Sequence, residues 1–260
     1  MSNRGLYLRA AEQLSRNPGQ WAAYNSTGHC VVLAGPGSGK TKTLTIKLAR
    51  LLHEDAQEPR GVACITYNNE CARELERRLH ALGVAPGRRV FIGTVHSFSL
   101  TQIILPYATC AGLALPDDFR VANQGEQRGA LERAYVREIN GPDDPNRVWR
   151  LRMDRYRRSI LDRDSEQWRD QDPVTARLVE AYEDELRSRN LIDFDDMPLL
   201  ALRALKHNEW LRRAILAKYP VLVVDEYPIK TQAAQHLYHL WGWEGEHHAE
   251  DGLSRFQLLL

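Results

Sequence analysis

A glycine-rich segment in the first third of the chain has the residue types of a phosphate-binding loop. Residues 34–41 have the sequence Ala-Gly-Pro-Gly-Ser-Gly-Lys-Thr and lie between a short apolar run and a stretch of helical periodicity. Glycines let backbone N–H groups curl around a phosphate, and the N-terminus of a following helix adds positive potential. Lys40 would then contact the outer phosphates of a nucleotide, and the Thr41 hydroxyl would bind Mg²⁺. The predicted nucleotide contacts in this region are Gly35, Gly37, Ser38, Gly39, Lys40, Thr41, Lys42 and Thr43.

Two adjacent acidic residues follow a later apolar run. Asp225 and Glu226 come directly after Val-Leu-Val-Val, which has the pattern of a buried strand. The carboxyl ends of parallel strands meet at one edge of a sheet, so a carboxylate there lies beside the phosphate loop. We therefore predict that Asp225 is a second Mg²⁺ ligand and that Glu226 is a general base that activates water. Glu226 and Lys40 are the predicted catalytic residues.

A turn upstream of the phosphate loop holds a third candidate. Residues 17–20 have the sequence Asn-Pro-Gly-Gln, which by itself predicts no more than a solvated turn. Its distance from the loop, however, is that of a glutamine that binds the edge of an adenine ring. We therefore include Gln20 among the predicted nucleotide contacts.

Strands and helices alternate in the part of the chain that holds the phosphate loop. Strand and helix patterns occupy, in turn, residues 29–34, 41–53, 62–66, 69–82 and 89–93. Strands separated by helices of this length indicate βαβ units and a parallel sheet. In the helix predicted over 69–82, one apolar stripe consists of Ala72, Leu75, Leu79 and Leu82. The pattern therefore predicts an α/β fold.

The middle of the chain has a different pattern. Between residues 108 and 189 we find several helical stretches but no convincing strand, and a strand pattern returns at 220–225. We therefore predict a helical insertion over 105–186 within an α/β domain formed by 1–104 and 187–260. Within residues 146–169, eight arginines stand against four acidic residues. Such a surplus binds nucleic-acid phosphates or belongs to a solvated helix face with pairs to Asp154 or Asp162, and the sequence leaves both open.

Composition sets wider limits. The 260 residues include 35 Lys and Arg against 34 Asp and Glu, so the net charge of +1 gives no global attraction to nucleic acid. A hydrophobic fraction of 43% excludes an intrinsically disordered chain. The four cysteines include no Cys-x-x-Cys pair, which favours small buried core residues in a reducing compartment over metal ligands. Without a signal peptide or a uniformly apolar span, the sequence predicts a cytoplasmic protein with no membrane segment.

Six segments occur together in an order that is typical of one family. Residues 17–20, 34–41, 65–75, 93–98, 193–196 and 223–227 resemble, in turn, the Q motif, motif I, motif Ia, motif Ib, the Asp-Phe-Asp-Asp element and motif II of UvrD/Rep-type superfamily 1 DNA helicases. Six matches in register are far more specific than any one of them. A different class of P-loop protein, such as a small kinase, leaves motif Ia, motif Ib and the Asp-Phe-Asp-Asp element unexplained.

The resemblance implies a RecA-like P-loop NTPase sheet with an all-helical inserted subdomain, with ATP and Mg²⁺ as cofactors. It implies that ATP hydrolysis is coupled to translocation on single-stranded DNA and to unwinding at a duplex/single-strand junction. Gln20 matches the residue that binds adenine, and Asp225 and Glu226 match the Mg²⁺ ligand and the catalytic base. The residues that match the single-stranded DNA path of the family are Tyr67, Asn69, Thr94 and His96.

The match to the family is not complete. Glu70 stands where motif Ia usually has lysine, and Pro228 and Ile229 replace the Gln-Asp that follows in motif II. Residues 241–260 lack the Gly-Asp-x-x-Gln sequence of motif III, and we expect 260 residues to leave no room for the second motor domain of the family. The expectation is an N-terminal portion of such a helicase that binds ATP with little hydrolysis and does not unwind DNA, unless a second polypeptide completes the motor. The alternative is a non-catalytic nucleotide- and DNA-binding remnant or regulatory fragment.

The departure at motif III also concerns the sheet itself. Without the strand that carries this motif, a central edge of the sheet would expose unpaired backbone groups. Three outcomes are open: residues 256–260 replace that strand, a partner chain replaces it, or the protein is poorly soluble.

Overall fold

The computed structural model describes residues 4–35, 37–56, 58–66, 68–84, 87, 89–116, 118–160, 163 and 165–225, and the backbone of 255–259. The strands in these residues are β1 (Cys30–Val32), β2 (Val62–Ile65), β3 (Val90–Gly93), β4 (Arg120–Val121), β5 (Leu191–Ile192), β6 (Val221–Asp225) and β7 (Arg255–Leu259). Five of them form one parallel sheet in the order β1-β7-β6-β2-β3, while β4 pairs in parallel with β5. The predicted α/β fold with a parallel sheet is confirmed.

Helices precede, connect and follow these strands. In chain order they are α1 (Arg4–Leu14), α2 (Pro18–Asn25), α3 (Lys40–Arg50) with a π-helical turn at Leu51–Asp55, α4 (Asn69–Ala81), α5 (Val95–Phe98) with a π-helical turn at Ser99–Ile104, α6 (Leu105–Tyr107), α7 (Gln124–Glu138), α8 (Pro145–Ser159), α9 (Glu166–Asp170), α10 (Pro173–Arg187), α11 (Asp196–His207) and α12 (Glu209–Lys218). The predicted stripe on α4 is confirmed, because Ala72, Leu75 and Leu79 are buried, and Leu82 just beyond the helix is half-buried.

The main sheet is covered on both faces along β2 and β6, whose side chains are all buried, whereas Val31 of β1 is exposed. Along β2 and β6 successive side chains point to opposite faces, so Cys64 and Val223 join the core formed with α3 and α4. Ala63 and Val224 join the opposite core, which is formed with α5, α11 and α12. The phosphate loop follows the carboxyl end of β1, and Asp225 forms the carboxyl end of β6.

The chain itself supplies the strand between β1 and β6. Strand β7 pairs in parallel with β1 on one side, with Val32 opposite Leu259, and with β6 on the other, with Asp225 opposite the same residue. Of the three outcomes left open by the sequence, the structure therefore contains the first. β7 brings β1 and the phosphate loop that follows it into the same sheet as Asp225.

A second core lies among the helices in the middle of the chain. It begins at Ala122, is formed mainly by α7, α8 and α10, and ends at Leu191. Residues before it, such as Leu113 and Leu115, pack on the core of α11 and α12 instead. The prediction that no strand occurs between residues 108 and 189 is wrong, because β4 lies there. A strand of two residues is too short to produce an alternating pattern, and it forms only because β5 pairs with it after the helices.

The cysteines differ in burial. Cys64 is buried, as predicted, but Cys30 and Cys71 are half-buried and Cys110 is exposed. The prediction of buried core cysteines is therefore wrong for Cys110, which lies in the loop after α6 rather than in a strand. In the described residues no helix is long and apolar enough to cross a membrane.

The central position of β7 is testable with a backbone substitution. Gln257 lies opposite Cys30 of β1 and Val223 of β6. Gln257→Pro removes a backbone donor from this ladder, and we expect the free energy of unfolding to fall by about 1–3 kcal/mol. Urea denaturation followed by circular dichroism measures the change. Gln257→Thr, which keeps the N–H, is the control and should remain close to wild type; equal stability of the proline variant would contradict the pairing.

Candidate nucleotide site

The phosphate loop joins β1 to α3 with a backbone that favours glycine. Gly37 and Gly39 have φ angles of +76° and +83°, a region that residues with a Cβ rarely adopt. The Ser38 N–H donates to the Gly35 carbonyl oxygen at 3.3 Å, which closes a turn. Gly35, Gly37 and Ser38 are exposed, so their backbone groups are accessible to a ligand.

Gln20 contacts the phosphate loop directly. Asn17 caps the N-terminus of α2, because its side-chain oxygen accepts from the N–H groups of Gly19 at 3.0 Å and Gln20 at 3.2 Å. From the first turn of this helix, Gln20 Nε2 donates to the Ser38 carbonyl oxygen at 2.7 Å. The structure thus brings the residue predicted to bind adenine next to the predicted phosphate contacts.

A buried lysine fixes α2 against α3. The Lys47 ammonium is covered by the protein and donates to the carbonyl oxygens of Ala23 at 2.6 Å and Ser26 at 3.0 Å. These carbonyls lie at the C-terminal end of α2, where a helix lacks internal donors and favours a cation. The contact holds the helix that carries Gln20 in a fixed position relative to the loop.

Most polar side chains of α3 are already engaged within the protein. Lys42 Nζ donates to Gln13 of α1 at 3.0 Å, and the buried Thr43 hydroxyl donates to the Gly39 carbonyl at 3.1 Å. The structure therefore does not direct these two predicted contacts toward the loop through their side chains. By contrast, Lys40 and Thr41 make no side-chain hydrogen bond or ion pair with the described part of the chain. These two side chains, in the first turn after the loop, are available to a ligand.

Asp225 is the last residue of β6 and is 7% exposed. Because β1 and β6 belong to one parallel sheet, Asp225 lies at the edge of the sheet from which the phosphate loop leaves β1. The pKa of the Cys64 thiol on the neighbouring strand is raised well above its ordinary value, first by burial and then by the Asp225 carboxylate. A buried carboxylate and the Thr41 hydroxyl offer only oxygen donors, which is the ligand type that Mg²⁺ prefers. The residues present therefore fit this ion. Glu226 lies outside the described residues.

The predicted DNA contacts follow β2 and β3 in the sequence. Thr94 caps α5, where its side-chain oxygen accepts from the Ser97 N–H at 3.2 Å. His96 stacks on the ring of Phe194, with centroids 4.1 Å apart and planes 17° apart. Burial lowers the pKa of His96, opposed by Asp195 and supported by Arg158. Asn69 is exposed at the start of α4, and Tyr67 lies outside the described residues.

Most arginines of residues 146–169 form ion pairs within the protein. Arg150 forms the expected i,i+4 pair with Asp154 at 3.1 Å, but Arg157 is 1% exposed and binds acidic residues inside the protein. Of the eight arginines, only Arg147 and Arg155 have no ion pair within the described residues. Most of the predicted surplus of positive charge is therefore neutralised.

Phe194 is the residue of this region that sequence reasoning did not single out. It belongs to the Asp-Phe-Asp-Asp element, but an isolated phenylalanine between acids usually indicates packing. Its side chain is 48% exposed although its ring stacks on His96. The residue type alone did not indicate that Phe194 would be exposed next to a predicted DNA contact.

The geometry of the phosphate loop predicts different effects of two alanine substitutions. In Gly39→Ala the new Cβ would lie 2.6 Å from Gln20 Nε2 and would occupy a left-handed conformation. We expect the free energy of unfolding to fall by about 1–2 kcal/mol. Gly35→Ala is the control, because a Cβ there meets no atom within 4 Å. Thermal denaturation without nucleotide measures both, and an equal loss in the two variants would contradict the described loop.

Comparison with known proteins identifies a matching family and several relatives. The sequence model for the UvrD/REP helicase N-terminal domain matches residues 16–238. The ATP-dependent DNA helicase Rep of Escherichia coli is 31% identical over 218 residues, which cover 81% of this chain and 32% of Rep. Rep of Salmonella typhimurium is 30% identical over 222 residues, with the same shares of 81% and 32%.

A eukaryotic relative matches over more of the chain. The ATP-dependent DNA helicase SRS2 of Saccharomyces cerevisiae is 26% identical over an alignment of 280 positions, which covers 97% of this chain and 23% of SRS2. The chain thus spans about a third of the length of the Rep proteins that it matches. Since the family match extends over most of the chain and includes the phosphate loop, Gln20 and Asp225, the chain belongs to the UvrD/REP helicase N-terminal domain family.

Proposed function

We propose that this chain is the ATP-binding N-terminal region of a UvrD/Rep-like DNA helicase. One observation carries the proposal: Lys40 and Thr41 have no side-chain partner within the described residues, although the other polar side chains of α3 do. These are the two residues that a phosphate loop uses for phosphate and metal. The names of the relatives, which are ATP-dependent DNA helicases, support the same activity.

The nucleotide contacts follow from the loop. Backbone N–H groups of Gly35, Gly37, Ser38 and Gly39 surround the phosphates, and Lys40 neutralises the outer ones. Gln20 binds the adenine edge from α2, while Lys42 and Thr43 contribute through the helix turn rather than through their side chains. Thr41 and Asp225 hold Mg²⁺, which when bound neutralises phosphate charge. Glu226 accepts the proton of the attacking water.

Single-stranded DNA, or a duplex/single-strand junction, is the proposed substrate. Its path follows the segments after β2 and β3, to which Tyr67, Asn69, Thr94 and His96 belong in the sequence. Polar side chains there bond to phosphates, and Tyr67 offers a ring for base stacking. In this assignment residues 1–104 and 187–260 form the RecA-like domain and 105–186 the helical insertion. A second polypeptide that completes the motor is part of the proposal.

A second candidate is a nucleotide- and DNA-binding fragment without helicase activity. Its support is Pro228 and Ile229, which stand where the family has Gln-Asp after the acidic pair. The Gln-Asp residues couple the state of the nucleotide to the next motif, so their replacement favours binding without coupling.

The nucleotide site predicts that alanine substitution of Lys40, but not of the nearby Lys42, weakens nucleotide binding. Lys40→Ala removes the phosphate contact, and we expect affinity for a fluorescent ATP analogue with Mg²⁺ to fall roughly 10- to 100-fold, as for loss of a charged hydrogen bond. Lys42→Ala is the matched control, since its ammonium bonds to Gln13. It should bind the analogue within about twofold of wild type, a change below about 0.5 kcal/mol. Equal affinity of wild type and Lys40→Ala for the ATP analogue would contradict the proposal.

Coupling to DNA separates the two candidate functions. For the helicase region we expect a single-stranded oligonucleotide to stimulate ATP hydrolysis and Glu226→Gln to abolish hydrolysis while nucleotide binding remains. The fragment predicts binding of ATP and DNA with no stimulation. Steady-state phosphate release, measured with and without the oligonucleotide, decides between them. The affinity for the oligonucleotide should fall steeply as the salt concentration rises, because contacts to DNA phosphates release counterions.

A further inference from the structure

A cluster of buried charges lies between the helical core and the main sheet. Arg157 of α8 and Asp193 after β5 are each 1% exposed, and the guanidinium Nη1 lies 2.8 Å from Asp193 Oδ2. Nη2 of the same guanidinium donates to Asp196 Oδ1 at the start of α11, and Nε lies 3.6 Å from Glu183 Oε1 of α10. We call Arg157, Glu183, Asp193 and Asp196 the buried charge cluster.

The buried charge cluster pins both ends of a tight turn. Residues 193–196 form this turn, in which the Asp196 N–H donates to the Asp193 carbonyl oxygen at 3.2 Å. Arg157 binds the first and the last carboxylate of the four residues. Because a guanidinium is planar and its donors form a rigid fork, it fixes the two carboxylates relative to each other.

Other helical residues hold the same turn. Tyr182 Oη donates to Asp193 Oδ2 at 2.8 Å, and Gln127 Nε2 donates to Asp193 Oδ1 at 3.0 Å. Arg158, next to Arg157, donates to Asp195 Oδ2 at 2.6 Å. All three acidic residues of the turn are therefore bound by α7, α8 or α10. The side chain of Phe194, by contrast, stacks on the ring of His96.

We propose that Arg157 is a positioning residue, which holds Phe194 against His96 by fixing Asp193 and Asp196. The helical core thereby sets the orientation of a side chain at the end of β3. The consequence for DNA rests on the proposed function, in which His96 contacts the strand, but the contact between Phe194 and His96 does not depend on it. Arg157 itself does not reach His96 and acts only through the turn.

The test compares three variants of the full chain. Phe194→Leu removes the ring from His96 without touching the buried charge cluster. Arg157→Lys keeps the charge but replaces the fork with a single ammonium, which cannot hold both carboxylates in the same geometry. Arg152→Lys is the matched control, because Arg152 lies on the same helix and its pair with Asp172 at 2.6 Å is on the surface.

The primary measurement is the titration of His96 by NMR in histidine-labelled protein. The chain has nine histidines, so the spectrum of His96→Gln assigns the signal. In the wild type burial holds the pKa of His96 below its ordinary value of 6.5. Phe194→Leu uncovers the imidazole and should raise this pKa. Arg157→Lys should raise it in the same direction, while Arg152→Lys should leave it unchanged.

Asp195 and Arg158 also act on His96, with opposite signs, and they are paired with each other at 2.6 Å. A displaced turn moves this pair as a unit, so its net effect on the imidazole is smaller than the loss of cover. The expected direction therefore remains a rise in the His96 pKa.

Two outcomes would overturn the proposal. One is a folded Arg157→Lys protein with the wild-type His96 titration, while Phe194→Leu shifts it. The other is no shift in Phe194→Leu. If Arg157→Lys does not fold, Asp196→Asn tests the same turn, since it removes one carboxylate and leaves Asp193 in place; an unshifted His96 in that folded variant counts equally against the proposal.

Affinity for a single-stranded oligonucleotide links the contact to function. Phe194→Leu and Arg157→Lys should bind it roughly two- to tenfold more weakly, the range for losing one contact, with unchanged affinity for the ATP analogue. If the wild type binds no DNA, the proposed function fails, while the titration still decides whether Arg157 positions Phe194. If the titration shifts but DNA affinity does not, the positioning role stands and the proposed DNA contact of His96 is wrong.

Discussion

The backbone hydrogen bonds of β7 hold the two halves of the candidate nucleotide site in one sheet. β1 has three residues and, among the described strands, pairs only with β7, which also pairs with β6. The phosphate loop follows β1 and Asp225 ends β6, so their relative position depends on a strand that belongs to neither. The hydrogen bonds of Gln20 to the loop and of Lys47 to the end of α2 fix the loop further.

A different interaction connects the helical core to the sheet. Burying a guanidinium among carboxylates is costly unless the geometry satisfies every partner, and such clusters favour one arrangement over others rather than adding much stability. Burial raises the pKa of Asp196 to about 6, although Arg157 acts in the opposite direction. We take the close contact with Arg157 to favour the ionised carboxylate at neutral pH. The cluster thus commits the turn at 193–196 to one conformation.

How much was predictable depends on how local the signal is. The phosphate loop, the stripe on α4 and the strand that ends at Asp225 follow from neighbouring residues, and all were predicted. Arg157 could not be distinguished from the other arginines of its stretch, because its carboxylates are far away in the sequence. β4 depends entirely on pairing with β5. The roles of Thr94, His96 and the nucleotide contacts remain predictions, since residue types fix a chemistry but not a bound ligand.

The pairing of Cys30 with Gln257 has a consequence for how the chain folds. The two residues are separated by nearly the whole sequence, and contacts of such long range slow folding because loop closure precedes any gain from pairing. During synthesis the phosphate loop emerges early, yet β1 finds its place in the sheet only after residue 259 has been made. Until then β1 and the edge of β6 that faces it have unpaired backbone groups, which can pair with other chains. Exposed strand edges of this kind favour aggregation during folding.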